Sequence, residues 1–171
     1  QRFLSHVHFQ LMDHGFLRVL WTNFYQFSPN AFRSNQPSPR RLKKYKELGV
    51  KTIINLRGTP KQSHYLFEQE ACDALGLVLI NCSMWARACT PKKHFIELFD
   101  YFDKIEGPFV LHCKSGADRA SIAAAFYQIY IHGYSVKQTR DQFSIKYLHL
   151  KFTKTGLLDF LMDTYEREGE S

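Results

Sequence analysis

The chain has 171 residues, with 23 Lys and Arg against 16 Asp and Glu, which gives a formal net charge of +7. This length fits one domain with a core of its own, and the positive charge suits an anionic ligand. No basic run with interleaved aromatic residues is present in the sequence, so we expect no nucleic-acid partner. No apolar run reaches the roughly 18 residues that a membrane span needs.

The N-terminal segment from Phe3 to Trp21 is aromatic and apolar, with His14 and Arg18 interspersed. This pattern predicts an amphipathic helix that either packs on the domain or makes a peripheral contact with a membrane surface. Packing on the domain is the commoner outcome for such a segment. We therefore separate residues 1–30, an aromatic segment packing on the domain, from residues 31–171, the domain itself.

The rest of the chain alternates strand-like and helix-like segments. Strands are predicted within Phe24 to Arg33 (a loop with one short edge strand) and over Lys51 to Leu56, Leu77 to Ile80 and Phe109 to His112. Helices are predicted over Arg40 to Leu48, Tyr65 to Leu75, Pro91 to Glu106, Arg119 to His132, Ser135 to Tyr147 and Thr153 to Glu168. This alternation predicts an α/β fold with a central, mainly parallel sheet of about four to five strands flanked by helices on both faces.

The most informative stretch follows the predicted strand Phe109 to His112. An arginine stands six positions after a cysteine in the run Cys113-Lys114-Ser115-Gly116-Ala117-Asp118-Arg119. Such a loop turns its backbone N–H groups inwards as an anion nest, and the next helix adds the positive end of its dipole. Gly116 suits a positive φ or a close backbone approach. Arg119 can hold two phosphoryl oxygens at once, so the run predicts that Cys113 attacks a phosphorus atom and that water hydrolyses the thiophosphate.

This His-Cys-five residues-Arg segment resembles the signature of the cysteine-based protein tyrosine phosphatase superfamily, and the compact length resembles its dual-specificity branch. A second resemblance, to bacterial and atypical members of that branch, lies in residues 32–37 (Phe-Arg-Ser-Asn-Gln-Pro) and 49–58 (Gly-Val-Lys-Thr-Ile-Ile-Asn-Leu-Arg-Gly). The resemblance implies that residues 31–171 are a phosphatase-like catalytic domain. It implies hydrolysis of phosphate monoesters with neither a cofactor nor a metal.

Two positions depart from the pattern of that superfamily. Ala120 follows the arginine where most members carry Ser or Thr, whose hydroxyl helps the cysteine to leave, and Ser121 lies one residue further on. The usual general acid, an Asp on a loop upstream of the cysteine, is missing, because residues 81–90 contain no carboxylate. Asp118 is the best candidate acid, as in some phosphoinositide phosphatases and some bacterial members. The alternative is that Asp118 only caps the following helix.

The candidate site has a catalytic set of Cys113, Arg119 and Asp118. The candidate substrate-binding residues are Lys114, Ser115, Gly116, Ala117 and Arg57. Arg57 ends a strand at the same sheet edge as the loop, so it either contacts the substrate or has a structural or solvated role. Lys114 is either a substrate-binding cation or an exposed lysine.

Four further residues lie near this loop in the predicted fold. His112 is expected to be buried and to orient the loop through a hydrogen bond. Arg33 with Gln36 either lines the pocket or pins the loop. Arg87, in place of the missing acid, is a candidate phosphate clamp.

The favoured function is a cysteine-dependent phosphatase of the protein phosphotyrosine or dual-specificity type, whose partner is a phosphoprotein. The missing acid loop, Lys114, the positive charge and the apolar N-terminal segment favour an alternative, the hydrolysis of a lipid, inositol phosphate or other non-protein phosphate. A phosphate-binding pseudophosphatase is the third hypothesis, since the usual acid is absent and Ala120 replaces a hydroxyl residue.

The four cysteines form no CxxC pair, so no zinc site is predicted. Cys72 and Cys82 are expected to be small buried residues. A catalytic thiolate fits a reducing compartment best, so a cytoplasmic location is expected, with membrane association through the N-terminal segment as the alternative.

Overall fold

The computed structural model describes residues 21–59, 63–150, 152 and 154–169. The strands are β1 (Tyr25–Ser28), β2 (Ala31–Ser34), β3 (Thr52–Asn55), β4 (Val78–Asn81) and β5 (Phe109–His112). The α-helices are α1 (Pro39–Glu47), α2 (Ser63–Leu75), α3 (Lys92–Lys104), α4 (Asp118–His132), α5 (Val136–Thr139) and α6 (Leu157–Gly169). Short 3-10 helices span Arg140–Phe143, Ile145–Tyr147 and Lys154–Gly156.

The five strands form one sheet in the order β1-β2-β5-β3-β4. β1 pairs antiparallel with β2, and every other pair is parallel. The four residues of β3 and of β5 are all buried, as expected for central strands that are covered on both faces. The predicted α/β fold with a mainly parallel sheet is therefore confirmed.

Helices cover both faces of the sheet because successive strand residues point to opposite sides. Ile54 and Leu111 belong to one apolar cluster, which also contains buried residues of α3, α4 and α6. Ile53 and Val110 belong to a second cluster with Leu42 of α1 and residues of α2. Among the described residues, no helix is both long and apolar enough to cross a membrane.

The parallel register brings the carboxyl ends of several strands to one edge. His112 at the end of β5 is in register with Ser34 of β2 and with Asn55 of β3. Asn55 is in register with Asn81 of β4. The segments that follow these four strands therefore meet at this edge, where open α/β sheets bind their ligands.

Three sequence predictions are corrected. The segment Phe24 to Arg33 holds two strands rather than one, joined by a turn in which Asn30 has φ +60°. The predicted helix from Ser135 to Tyr147 is instead α5 followed by two 3-10 helices, and the extended residue Ser144 separates the two 3-10 helices. The carbonyl of Gln142 also accepts hydrogen bonds from distant side chains. The last helix begins at Leu157, after a 3-10 turn.

The predicted N-terminal helix up to Trp21 lies outside the described residues apart from Trp21 itself. The division at residue 30 stays a prediction.

Candidate active site

The loop between β5 and α4 wraps around the sulfur of Cys113. Cys113 is buried, and the backbone N–H of Gly116 points at its Sγ across 3.3 Å. α4 begins at Asp118, so the N–H groups of its first turn lie directly after the loop. These donors and the helix dipole give this end of the loop a partial positive charge, which attracts an anion. At the central residue of the loop, the backbone N–H thus points inwards.

Gly116 is required by both conformation and space. Its φ is +74°, in the left-handed region that residues with a Cβ rarely adopt. A Cβ at this position would lie 2.7 Å from the carbonyl carbon of Ser34 and 2.8 Å from the backbone nitrogen of Asn35. The end of β2 therefore packs directly against the loop.

Arg33 of β2 pins the loop from behind. Its guanidinium is fully buried and donates to the carbonyls of Gly116 and Ala117 at 2.8 and 3.1 Å. It also donates to the carbonyl and side chain of Gln142, and it lies 3.9 Å from the ring centre of Tyr147. Burial lowers the pKa of Arg33 to about 10, and nearby groups including Tyr147 partly offset that effect. Of the two roles predicted for Arg33, the structure supports pinning of the loop.

Ser121 does not take the place of the missing hydroxyl beside the arginine. Its Oγ is buried and accepts a hydrogen bond from Arg33, while it donates towards the carbonyls of Ala117 and Gln142. The hydroxyl is therefore part of the support behind the loop.

Arg57 is presented by a turn whose conformation is fixed by Asn55. The side chain of Asn55 accepts from the backbone N–H of Arg57 at 2.9 Å and donates to the carbonyl of Gly58 at 2.7 Å. The guanidinium of Arg57 donates to Oε1 of Gln36 at 2.8 Å. Gln36 thus orients Arg57, while its own backbone N–H bonds to the carbonyl of Lys114 at 3.3 Å.

Asp118 is the first residue of α4, and it does not cap that helix. The N-cap position is Ala117, with no side-chain cap, and the carboxylate of Asp118 instead contacts Nδ1 of His149 at 3.0 Å. The side chain is one-fifth exposed and lines the cleft described next. The prediction that Asp118 only caps the helix is therefore not supported by its contacts.

A cleft of about 960 Å³ opens beside the loop. It is lined by the candidate residues Arg57, Lys114, Ser115, Asp118 and Arg119, and also by Trp21, Asn35, Ser83, Met84, Trp85, Ala86, Arg87 and Leu148. Four of these side chains are cationic and Asp118 alone is acidic. Nε of Arg119 is buried, and no described residue accepts its hydrogen. The side chains that line the cleft are therefore predominantly cationic, and Arg87, predicted as a phosphate clamp, is one of them.

The remaining candidates are located behind the loop. His112 is fully buried, as expected, and its Nε2 lies 2.6 Å from Oε1 of Glu68 of α2. Gly116 and Ala117 contribute backbone rather than side chains.

Four residues around the site were not predicted from the sequence. They are Asn23, Glu68, Gln142 and His149. Only Glu68 leaves a signal, because it shares one face of α2 with His64 and Cys72 at a spacing of four residues, and all three are buried. The other three reach the loop only through tertiary folding.

Two other cysteines are unsuited to nucleophilic attack. Cys72 and Cys82 are fully buried, and burial, with a smaller effect of nearby carboxylates, raises the pKa of each thiol to about 12. They remain thiols at neutral pH, as small core residues. No three His, Cys, Asp or Glu side chains converge as metal ligands within the part of the chain that the structure describes.

Comparison with known proteins finds solved structures with a similar fold. No family model and no curated protein matches the sequence. TpbA of P. aeruginosa superposes with a TM-score of 0.64 at 17% identity, over 88% of this chain and 92% of its own. A DUF442 protein of Shewanella putrefaciens gives 0.70 at 17% identity, over 87% and 90%. The catalytic core of a PP-IP phosphatase of S. cerevisiae gives 0.67 at 16% identity, over 87% and 88%.

These neighbours are cysteine-based phosphatases of the protein tyrosine phosphatase type. The His-Cys-five residues-Arg segment, together with residues 32–37 and 49–58, predicted this fold from the sequence. This chain has the fold of the cysteine-based, protein tyrosine phosphatase-like phosphatases.

Proposed function

We propose that the protein is a phosphatase that hydrolyses phosphate monoesters with Cys113 as nucleophile. The observation that carries this proposal is the closed loop around Sγ, in which the N–H of Gly116 points at the sulfur across 3.3 Å. The guanidinium of Arg119 lines the same cleft, with a buried N–H that no described residue accepts. A thiolate and a phosphate dianion are the species that such an arrangement stabilises.

The reaction proceeds in two balanced steps. The thiolate of Cys113 attacks phosphorus, an S–P bond forms, the P–O bond to the leaving group breaks, and the carboxyl group of Asp118 gives its proton to the departing oxygen. Water then attacks phosphorus, the S–P bond breaks, and the water proton goes to the carboxylate of Asp118. Arg119 and the loop N–H groups stabilise the equatorial oxygens in both steps. Arg57 and Lys114 supply further positive charge to the bound substrate.

Two substrate classes fit the cleft. Trp21, Trp85 and Leu148 offer apolar walls that suit the ring of a phosphotyrosine, the favoured expectation for this superfamily. A variant of the structural neighbour TpbA has been crystallised with pTyr. The phosphotyrosine or dual-specificity activity is therefore our first candidate.

The cations favour a second candidate, a non-protein substrate with several phosphates. Arg57 and Arg87 line the cleft besides Arg119 and Lys114, which is more positive charge than a single phosphoryl group requires. The structural neighbour from S. cerevisiae is a PP-IP phosphatase. An inositol polyphosphate or a phosphoinositide head group would engage all four cations.

The test measures phosphate release from a phosphotyrosyl peptide, an aryl phosphate and inositol hexakisphosphate by the wild type and by Cys113→Ser. Cys89→Ser is the matched control, because Cys89 is an exposed thiol outside the loop. We expect Cys113→Ser to abolish turnover and Cys89→Ser to retain it. Turnover by Cys113→Ser equal to that of the wild type would overturn the proposal. Binding without turnover in the wild type would show a pseudophosphatase.

Arg87→Gln separates the two substrate classes. For the polyphosphorylated substrate, we expect KM to rise by about tenfold when one phosphate contact is lost. For the phosphotyrosyl peptide, which presents one phosphoryl group to Arg119, KM should change less than twofold. An equal effect on both substrates would contradict a polyphosphate site.

A further inference from the structure

His149 lies between two carboxylates and joins the candidate acid to the C-terminal helix. Its Nδ1 is 3.0 Å from Oδ1 of Asp118, and its Nε2 is 2.7 Å from Oδ2 of Asp159 in α6. The imidazole is fully buried, whereas the side chains of Asp118 and Asp159 are 20% and 23% exposed. The ring of Phe143 packs edge-on against the imidazole, with centroids 5.3 Å apart.

These contacts favour a charged imidazole. Burial opposes the charge, but the hydrogen bonds to Asp118 and Asp159 outweigh that cost, and the pKa of His149 is raised. In the imidazolium, both ring nitrogens donate, one to each carboxylate. Because the two nitrogens point in opposite directions, the three side chains do not converge on one point as metal ligands would.

The contact between His149 and Asp118 fixes how Asp118 faces the cleft. Its Oδ1 is occupied by His149, while the side chain lines the cleft beside Arg119. Oδ2 is therefore the oxygen available to a leaving group or to water. A carboxylate that rotated freely would present this oxygen only part of the time, and orientation of a catalytic group is a large part of its effect.

We propose that His149, itself held by Asp159, is a positioning residue for the proton transfers of Asp118. This inference rests on the proposed phosphatase function. In the first step Oδ2 of Asp118 gives its proton to the leaving oxygen, and the imidazolium stabilises the carboxylate that forms. In the second step the same carboxylate takes the proton of the attacking water, while the S–P bond breaks. His149 keeps its own protons throughout and touches no substrate atom.

A purely structural role predicts different kinetics. If His149 only tied α6 to α4, its loss would lower turnover of every substrate in the same proportion. A residue that acts through Asp118 matters most where the leaving group needs a proton, and little where it departs as a stable phenolate. The ratio of alkyl to aryl phosphate turnover therefore distinguishes the two roles.

The experiment compares His149→Gln with the wild type on an alkyl phosphate and on p-nitrophenyl phosphate. We expect kcat for the alkyl phosphate to fall about 10- to 100-fold, part of the contribution of a general acid, and kcat for the aryl phosphate to fall less than threefold. His94→Gln is the matched control, since His94 also pairs with a carboxylate, Glu97 at 2.9 Å, on the surface of α3. We expect it to leave both rates unchanged.

A double mutant tests whether His149 acts through Asp118. In an Asp118→Asn background, His149→Gln should lower kcat for the alkyl phosphate less than twofold, because the carboxyl group that His149 positions is already lost. Asp159→Asn is a second variant, which keeps the shape of its side chain and should lower alkyl turnover in the same selective manner. Thermal unfolding of each variant identifies any that does not fold.

Two results would overturn the inference while the proposed function survives. One is an equal loss on alkyl and aryl phosphates in folded His149→Gln and Asp159→Asn. The other is an equal loss of kcat for the alkyl phosphate when His149→Gln is made in the wild type and in the Asp118→Asn variant. If the wild type itself hydrolyses neither ester, the proposed function fails first and the inference fails with it.

Discussion

Nε2 of His112 lies 2.6 Å from Oε1 of Glu68, and both side chains are fully buried. The other carboxylate oxygen of Glu68 accepts from Nε2 of Gln36 at 2.9 Å, and Gln36 in turn accepts from Arg57. One chain of close polar contacts therefore connects the residue before the nucleophile to a cation in the cleft. Glu68 is the group on which this chain depends, because its carboxylate contacts two buried polar side chains at once.

Glu68→Ala should destabilise the protein and weaken its site. The change removes the buried partner of His112 and leaves the side-chain amide of Gln36 without its acceptor, which costs about 3 to 5 kcal/mol of unfolding free energy. Urea unfolding measures this loss. Glu68→Gln restores an acceptor and should recover part of it. Asp73→Ala, at an exposed position of α2, should stay within about 0.5 kcal/mol of the wild type. Equal stabilities of Glu68→Ala and Asp73→Ala would contradict the predicted role.

The parts of the fold that could be predicted from the sequence are those whose signal is local. β3 and β5 are buried on both faces, so they appear as short apolar runs that alternate with helices. The loop from Cys113 to Arg119 is contiguous, and its chemistry can be recognised without a structure. His149 is 31 positions from Asp118, and Asn23 is 92 positions from Ser115, whose carbonyl it binds. Nothing near His149 or Asn23 in the sequence marks these contacts, which only tertiary folding creates.

The segment from Ser135 to Tyr147 is predicted as one helix from its sequence but forms α5 and two 3-10 helices. Its hydrogen bonds to distant residues explain the difference. The carbonyl of Gln142 accepts from Arg33 and Ser121, and the carbonyl of Tyr147 accepts from Asn23 at 2.9 Å. In a helix that continued to Tyr147, the carbonyl of Gln142 would accept from the backbone N–H of Lys146, whereas the carbonyl of Tyr147 would lie in the last turn without a helical partner. Tertiary donors around the loop replace the helical partner of Gln142 and satisfy Tyr147.

Gly116→Ala should abolish activity, whereas Gly133→Ala should retain it. Both glycines have positive φ, +74° and +66°, so both substitutions strain the backbone. A Cβ at Gly133 meets nothing within 4 Å, while at Gly116 it would meet the backbone of Ser34 and Asn35 below 3.0 Å.

We expect Gly133→Ala to lose about 1 to 2 kcal/mol of stability and to keep the wild-type kcat. Gly116→Ala should lose more stability, and its loop should no longer bind orthovanadate. Equal vanadate affinity of the two variants would show that the loop tolerates the displacement.

Arg33→Lys should loosen the loop although it conserves charge. The ammonium group lacks the planar fork that reaches Gly116, Ala117 and Gln142 together, so several buried acceptors lose their donor. We expect a loss of about 2 to 4 kcal/mol in unfolding free energy and weaker inhibition by inorganic phosphate. Arg140→Lys is the control, because Arg140 contacts Asp163 and Glu166 at the surface and should cost no more than about 1 kcal/mol. Wild-type phosphate inhibition in Arg33→Lys would contradict the pinning role.

The raised pKa of His149 predicts a loss of stability as the solution becomes alkaline. Below about pH 6.5 the folded and unfolded chains are both protonated at this residue, so its contribution is fully present. Above that pH the unfolded chain loses the proton first, and the unfolding free energy falls by up to about 1.4 kcal/mol per pH unit until the folded imidazolium also deprotonates.

Urea unfolding of the wild type and of His149→Gln between about pH 6 and pH 9 isolates this effect, because the variant lacks the titrating group. The stability difference between the two proteins should shrink steadily as the pH rises. The corresponding difference for His94→Gln should stay small, because its partner Glu97 is 47% exposed. A wild-type advantage that is constant across the range would mean that His149 is neutral between Asp118 and Asp159.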